Sequence, residues 1–86
     1  MQKKYKINLE GIDFKDELDL GIFVTKFAAK LKDLDISSNG NAGSLEKKLA
    51  FISVTEDEIE VINQALEDGQ FDALNENLKD KKFEAV

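Results

Sequence analysis

The sequence predicts an α+β domain: a small two-layer unit in the order β-α-β(β)-α-α, with a short antiparallel sheet and the helices packed on one face. Three features carry that expectation. An alternating run opens the chain, a six-position apolar stripe of helical period follows it, and a capping box starts a second helix behind a compact apolar run. At 86 residues the chain is read as one domain, 1–86. A chain this short buries a modest share of its surface, so the core has to come from a few elements packed once. Cysteine is absent and 42% of the residues are apolar, so burial, not disulfides or thiolate-bound metal, must hold the fold.

Residues 3–9 alternate, with Tyr5, Ile7 and Leu9 on one side, the period of a half-buried strand. From Asp16 to about Leu34 the period changes. Leu20, Phe23, Val24, Phe27, Leu31 and Leu34 recur at three and four and form one stripe of a long helix. Acids at 16, 17 and 19 and lysines at 26, 30 and 32 match the helix dipole. Residues 35–44 are polar and glycine-rich and read as a loop. Leu49–Val54 is β-branched and aromatic enough for a strand, with Ile36 and its neighbours as a candidate hairpin partner. Thr55-Glu-Asp-Glu58 spells the capping box, Ile59, Ile62, Ala65 and Leu66 supply the buried stripe, and Gly69 is the expected stop. Phe71, Leu74 and Leu78 predict a short third helix from near Asp72, after which the chain is expected to fray. Phe27 and Phe51 are both expected deep in the core.

The loop holds one motif-level pattern. Asp35, Ser37 and Asn39 are followed by Gly40 and, six residues later, by Glu46. The spacing resembles the calcium loop of EF-hand proteins, with oxygen ligands at positions one, three and five, glycine at six and glutamate at twelve. Phe27, Leu31 and Leu34 stand where that family's entering helix places apolar residues. The resemblance implies a weak metal site at Asp35, Ser37, Asn39 and Glu46. The sequence departs from the family at Ala42, where a large aliphatic is usual, and at Lys47, where the exiting helix buries an apolar residue. A second loop is missing. The competing reading is a Ser/Asn/Gly-rich turn, and on that reading no metal or cofactor is expected.

All twelve basic residues are lysines, and Arg, His, Trp and Pro are absent. This composition fits an AT-rich coding sequence, as in low-GC bacteria or their phages. The commonest general base, the best nucleophile and the bidentate phosphate fork are therefore missing. Carboxylate pairs such as Asp13 with Asp16 sit at helix ends, where capping accounts for them, and no phosphate-binding glycine loop is present. An enzyme is not expected.

Charge is the more informative feature. The net charge is −6, and from Leu49 to Leu78 there are eight acids and no base. Within the second helix Glu56, Asp57, Glu60, Glu67 and Asp68 share an arc of about 120°, opposite the apolar stripe. These five are the expected partner-binding residues, facing a protein with a basic surface. Direct nucleic-acid binding by this face is not expected, since phosphates are bound by neutralising them. Leu18, Ile22 and Ala29 lie on the far side of the first helix. They are expected to be covered, and if uncovered would offer a homodimer contact.

Three functions remain open: an acidic protein-binding module, such as a phage- or mobile-element-encoded inhibitor of a basic host or defence protein; a homo-oligomeric assembly accessory; and an EF-hand-like calcium module. The N-terminus lacks the apolar block of a signal peptide and no stretch reaches the roughly 18 apolar residues of a span, so the cytoplasm is expected and membrane contact is not.

Overall fold

The structure, a computed structural model, describes residues 1–86. The α+β expectation holds. Strand β1 (Lys3–Asn8), helix α1 (Glu17–Asp33), strands β2 (Asn39–Ser44) and β3 (Leu49–Val54), helix α2 (Glu56–Glu67), a 3₁₀ turn (Glu76–Asp80) and strand β4 (Glu84–Ala85) follow in order. The sheet runs β2-β3-β1-β4 with every neighbouring pair antiparallel. Each β-α-β unit leaves a gap of one strand, which the other unit fills. This is the split β-α-β connectivity.

The alternation in β1 and β3 explains the layering. Tyr5, Ile7, Ala50, Ile52 and Val54 are buried on one face, in one core with Leu20, Phe23, Phe27 and Leu31 of α1 and Ile59, Ile62, Ala65 and Leu66 of α2. The 19 core residues are all apolar, and no polar residue is buried among them. Asp16 caps α1 by accepting from the Asp19 amide, and Thr55 and Glu58 form both halves of the capping box on α2. No helix is long and apolar enough to cross a membrane.

Four expectations fail for identifiable reasons. The tract 35–44 is not all loop. Its second half is β2, and this segment, not the neighbourhood of Ile36, pairs with β3. Gly43 is required there, because a Cβ would come within 2.8 Å of Leu20, so α1 lies close against the strand. Phe51 is half-buried, not deep. The face of β3 opposite Ala50 and Ile52 carries no second layer, and Lys4 Nζ lies 4.8 Å from the Phe51 ring centroid. No third α-helix starts near Asp72. After Gly69, at φ +81, the chain makes successive turns and only Glu76–Asp80 is helical, as a 3₁₀ turn capped by Asn75.

The C-terminus does not fray. Glu84 and Ala85 pair with Lys6 and Tyr5, and Phe83 is buried beside Phe27 at 5.6 Å between ring centroids. Asn63 on α2 fixes the register. Its Oδ1 accepts from the Phe83 amide at 2.7 Å and its Nδ2 donates to the Phe83 carbonyl at 3.3 Å. Asn63→Ala leaves both backbone groups without that partner in a partly buried place. It should cost about 1–3 kcal/mol in denaturant unfolding and expose the β4 amides to faster hydrogen exchange. Unchanged protection of β4 would contradict this role.

Candidate partner-binding surface on the second helix

Helix α2 is positioned by its buried stripe and by its cap. Thr55 Oγ1 accepts from the Glu58 amide at 3.2 Å, and Glu58 Oε1 accepts from the Thr55 amide at 2.9 Å. Glu58 is thereby committed to the helix start. The helical period then sends the five acids named above outward: Glu56, Asp57, Glu60, Glu67 and Asp68 are all exposed. Glu67 and Asp68 stand at the C-terminal end without a base in the last turn, against the sign the helix dipole prefers.

The five are not equivalent. Glu56 forms an ion pair with Lys3 of β1. The hydrogen bond first, and the opposite charge second, hold the Glu56 carboxyl below the usual carboxylate range and raise the Lys3 ammonium above its ordinary value. Glu60 and Glu67 line a polar trough with Asn63 and Gln64. Its other residues, Lys79, Asp80, Lys81 and Lys82, come from the C-terminal segment. None of those lysines forms an ion pair with α2 within 4.0 Å, and Lys81 Nζ donates instead to the Glu10 carbonyl at 2.7 Å. Sequence reasoning placed no lysine beside this face. The only hint was the basic cluster after Leu78, and its approach to α2 depends on the turn at Gly69.

The remaining side of the face is different. Asp57, Glu60 and Asp68 rim a shallow groove floored by Leu34, Val61 and Ala65, with Gln64 and Gln70 completing the wall. Val61 is 50% exposed, one of five large apolar residues on the surface. Gln64 Nε2 donates to Asp68 Oδ1 at 3.0 Å, and no base enters the groove. The arrangement can offer carboxylates to cations around an apolar seat.

The calcium-loop residues are placed apart. Asp35, at φ 59, ends the α1 turn; Asn39 lies in β2, where its Nδ2 donates to Gln2 Oε1 at 2.7 Å; Glu46 lies in the turn after β2. Loop positions five to ten are the extended strand β2, which carries Glu46 on the order of 15 Å beyond Asn39, and a turn stands where the EF-hand's exiting helix begins. No three His, Cys, Asp or Glu side chains converge closely enough to hold a metal ion. Calorimetry should accordingly find calcium binding no tighter than about millimolar, and micromolar affinity abolished by Glu46→Gln would refute that.

Leu18, at 74% exposure, and Ile22, at 46%, are not covered as expected. The sheet packs on the other side of α1, and the 73–75 segment reaches only the Ile22 flank. No family model, curated protein or solved structure matches the chain, so its function is argued from this surface.

Proposed function

We propose that the chain is an acidic protein-binding module whose second helix docks a partner with a basic surface. The observation that carries the reading is the groove in which Asp57, Glu60 and Asp68 stand beside the half-exposed Val61. Charge alone keeps a protein soluble. An apolar residue left open beside carboxylates that no base neutralises fits a contact that needs an anchor as well as attraction. The partner is a protein whose lysines or arginines meet the rim while one apolar side chain covers Val61. A nucleic-acid-binding protein has such a surface at its phosphate site, and small phage- or mobile-element-encoded inhibitors act by occupying one; size and charge support that narrower reading.

The test separates anchor from rim. With the partner isolated from the native host, Val61→Ser should raise the dissociation rate by roughly tenfold, on the order of 1–2 kcal/mol for one buried aliphatic side chain. The association rate should stay within twofold. A dissociation rate equal to wild type would place the contact elsewhere on the molecule.

A further inference from the structure

The sheet has two edges, and they are built differently. The β4 edge is two residues long, carries Glu84 and follows Lys82. The β2 edge is six residues long and holds no charged side chain, within an uncharged run from Ile36 to Leu45 in a chain that is 35% charged. An edge strand presents free peptide N–H and C=O groups, and charge, proline or shortness normally guards them. Here the only guard is the bulge between Asn39 and Ala42, beyond which Ala42–Ser44 pair regularly with β3. Ala42 and Gly43 are exposed. Asn41 Oδ1, in the middle of the strand, is the one buried side-chain oxygen or nitrogen with no hydrogen-bond partner.

Helix α1 completes this side of the molecule. Leu20 meets the Gly43 position, which fixes the helix over β2. The flank bearing Asp19, Ile22 and Lys26 faces Phe14 and Leu74. At 100° per residue the opposite flank carries Gly21, Thr25 and Ala28 between Glu17 at one end and Lys32 at the other. The Thr25 hydroxyl turns back to the Gly21 carbonyl at 2.9 Å, which leaves the flank small and free of unpaired hydroxyl.

We propose that β2 and this flank of α1 are the contact between two copies of the chain, joined about a two-fold axis into one sheet of eight strands. The symmetry is consistent. The axis passes through the middle of β2, between Asn41 and Ala42. Thr25 lies five residues from Leu20, about 7.5 Å along the helix and roughly two strand residues from Gly43, so the middle of α1 stands over the same point. The two α1 helices then run antiparallel, and Glu17 of one copy faces Lys32 of the other, twice. Strand pairing alone falls short of the roughly 1,000 Å² a stable interface buries, and the helix flank extends it. Two chains of charge −6 can meet here because nothing charged lies between those two ion pairs. The contact is independent of the α2 groove.

Sedimentation equilibrium from micromolar to millimolar concentration tests this, with circular dichroism to verify folding. The expected result is a dimer. Ala42→Lys, which sets like charges against each other on the new strand pair, should weaken it at least tenfold; Ile22→Gln, on the outer side of α1, should leave it unchanged. Spin labels provide the geometry in this cysteine-free chain. Labels at Ala42→Cys should lie close together, and labels at Ala85→Cys, seven strand spacings apart, at about 34 Å. A monomer throughout, a dimer indifferent to Ala42→Lys, a dimer lost in Ile22→Gln, or labels closer at 85 than at 42 would each overturn the proposal.

Discussion

Phe27→Ala should cost about 3–5 kcal/mol, the range for emptying a buried aromatic site, and leave a domain this small largely unfolded at room temperature. The Phe27 ring stacks on Phe71 at 4.4 Å between centroids and 9° between planes, packs edge-on to Phe83, and lies 6.2 Å from Phe23. It thereby ties α1 to the turn after α2 and to the residue that leads into β4. Those segments have few other holds: Phe71 is wholly buried, but the chain around it is turns, and β4 is two residues long. Phe51→Ala is the matched control. Its ring is half-buried on the open sheet face, so the loss should be about 1–2 kcal/mol. Urea unfolding of both variants decides the point. Equal losses would mean that the outer face is covered in solution. The Phe27 and Phe83 substitutions should also combine non-additively, because each removes part of the other's contact.

That contrast marks where the sequence was legible. Helix α1 could be read because six apolar positions keep one period over four turns, and no other element satisfies them. The start of α2 was written in four residues, Thr55 to Glu58, whose chemistry is local. Strand β2 was not legible. Asn-Gly-Asn-Ala-Gly-Ser has turn composition and poor strand propensity, and only pairing with β3 under the close approach of Leu20 makes it extended. Strand β4 carries no pattern in two residues, and its placement comes from Phe83 and the Asn63 clamp. For the same reason the split β-α-β connectivity was out of reach, since β4 completes it. Phe51 was misjudged because a short apolar run does not reveal whether both faces of its strand are covered. On the candidate surface, exposure of the five acids followed from the helical period. Their inequality did not: Lys3 reaches Glu56 across the sheet-to-helix gap, and Lys79, Lys81 and Lys82 approach Glu60 and Glu67 through a tertiary turn.

This inequality selects the variant for the functional test. Asp57→Lys with Glu60→Lys reverses two carboxylates that have no ion pair and that rim the Val61 groove. Glu56 would be a poor choice because its loss also strands Lys3, and Glu67 lies outside the Val61 groove. Both chosen side chains are exposed, so the fold should survive. The new cation at 57 lies in the first turn of α2, where the helix dipole makes it unfavourable by about 0.3–1 kcal/mol; thermal melting measures that penalty separately. Against a basic partner the double change takes the chain from −6 to −2 and removes most of the long-range attraction, which acts over the screening length of about 8 Å at physiological salt. Association should therefore slow by roughly ten- to a hundredfold at low salt, while dissociation changes less. Raising the salt should slow association of the wild type and spare the variant, so that the two rates converge. Association kinetics at two salt concentrations read the whole effect. Equal rates for wild type and variant, with no salt dependence in either, would remove the acidic face of α2 as the docking surface.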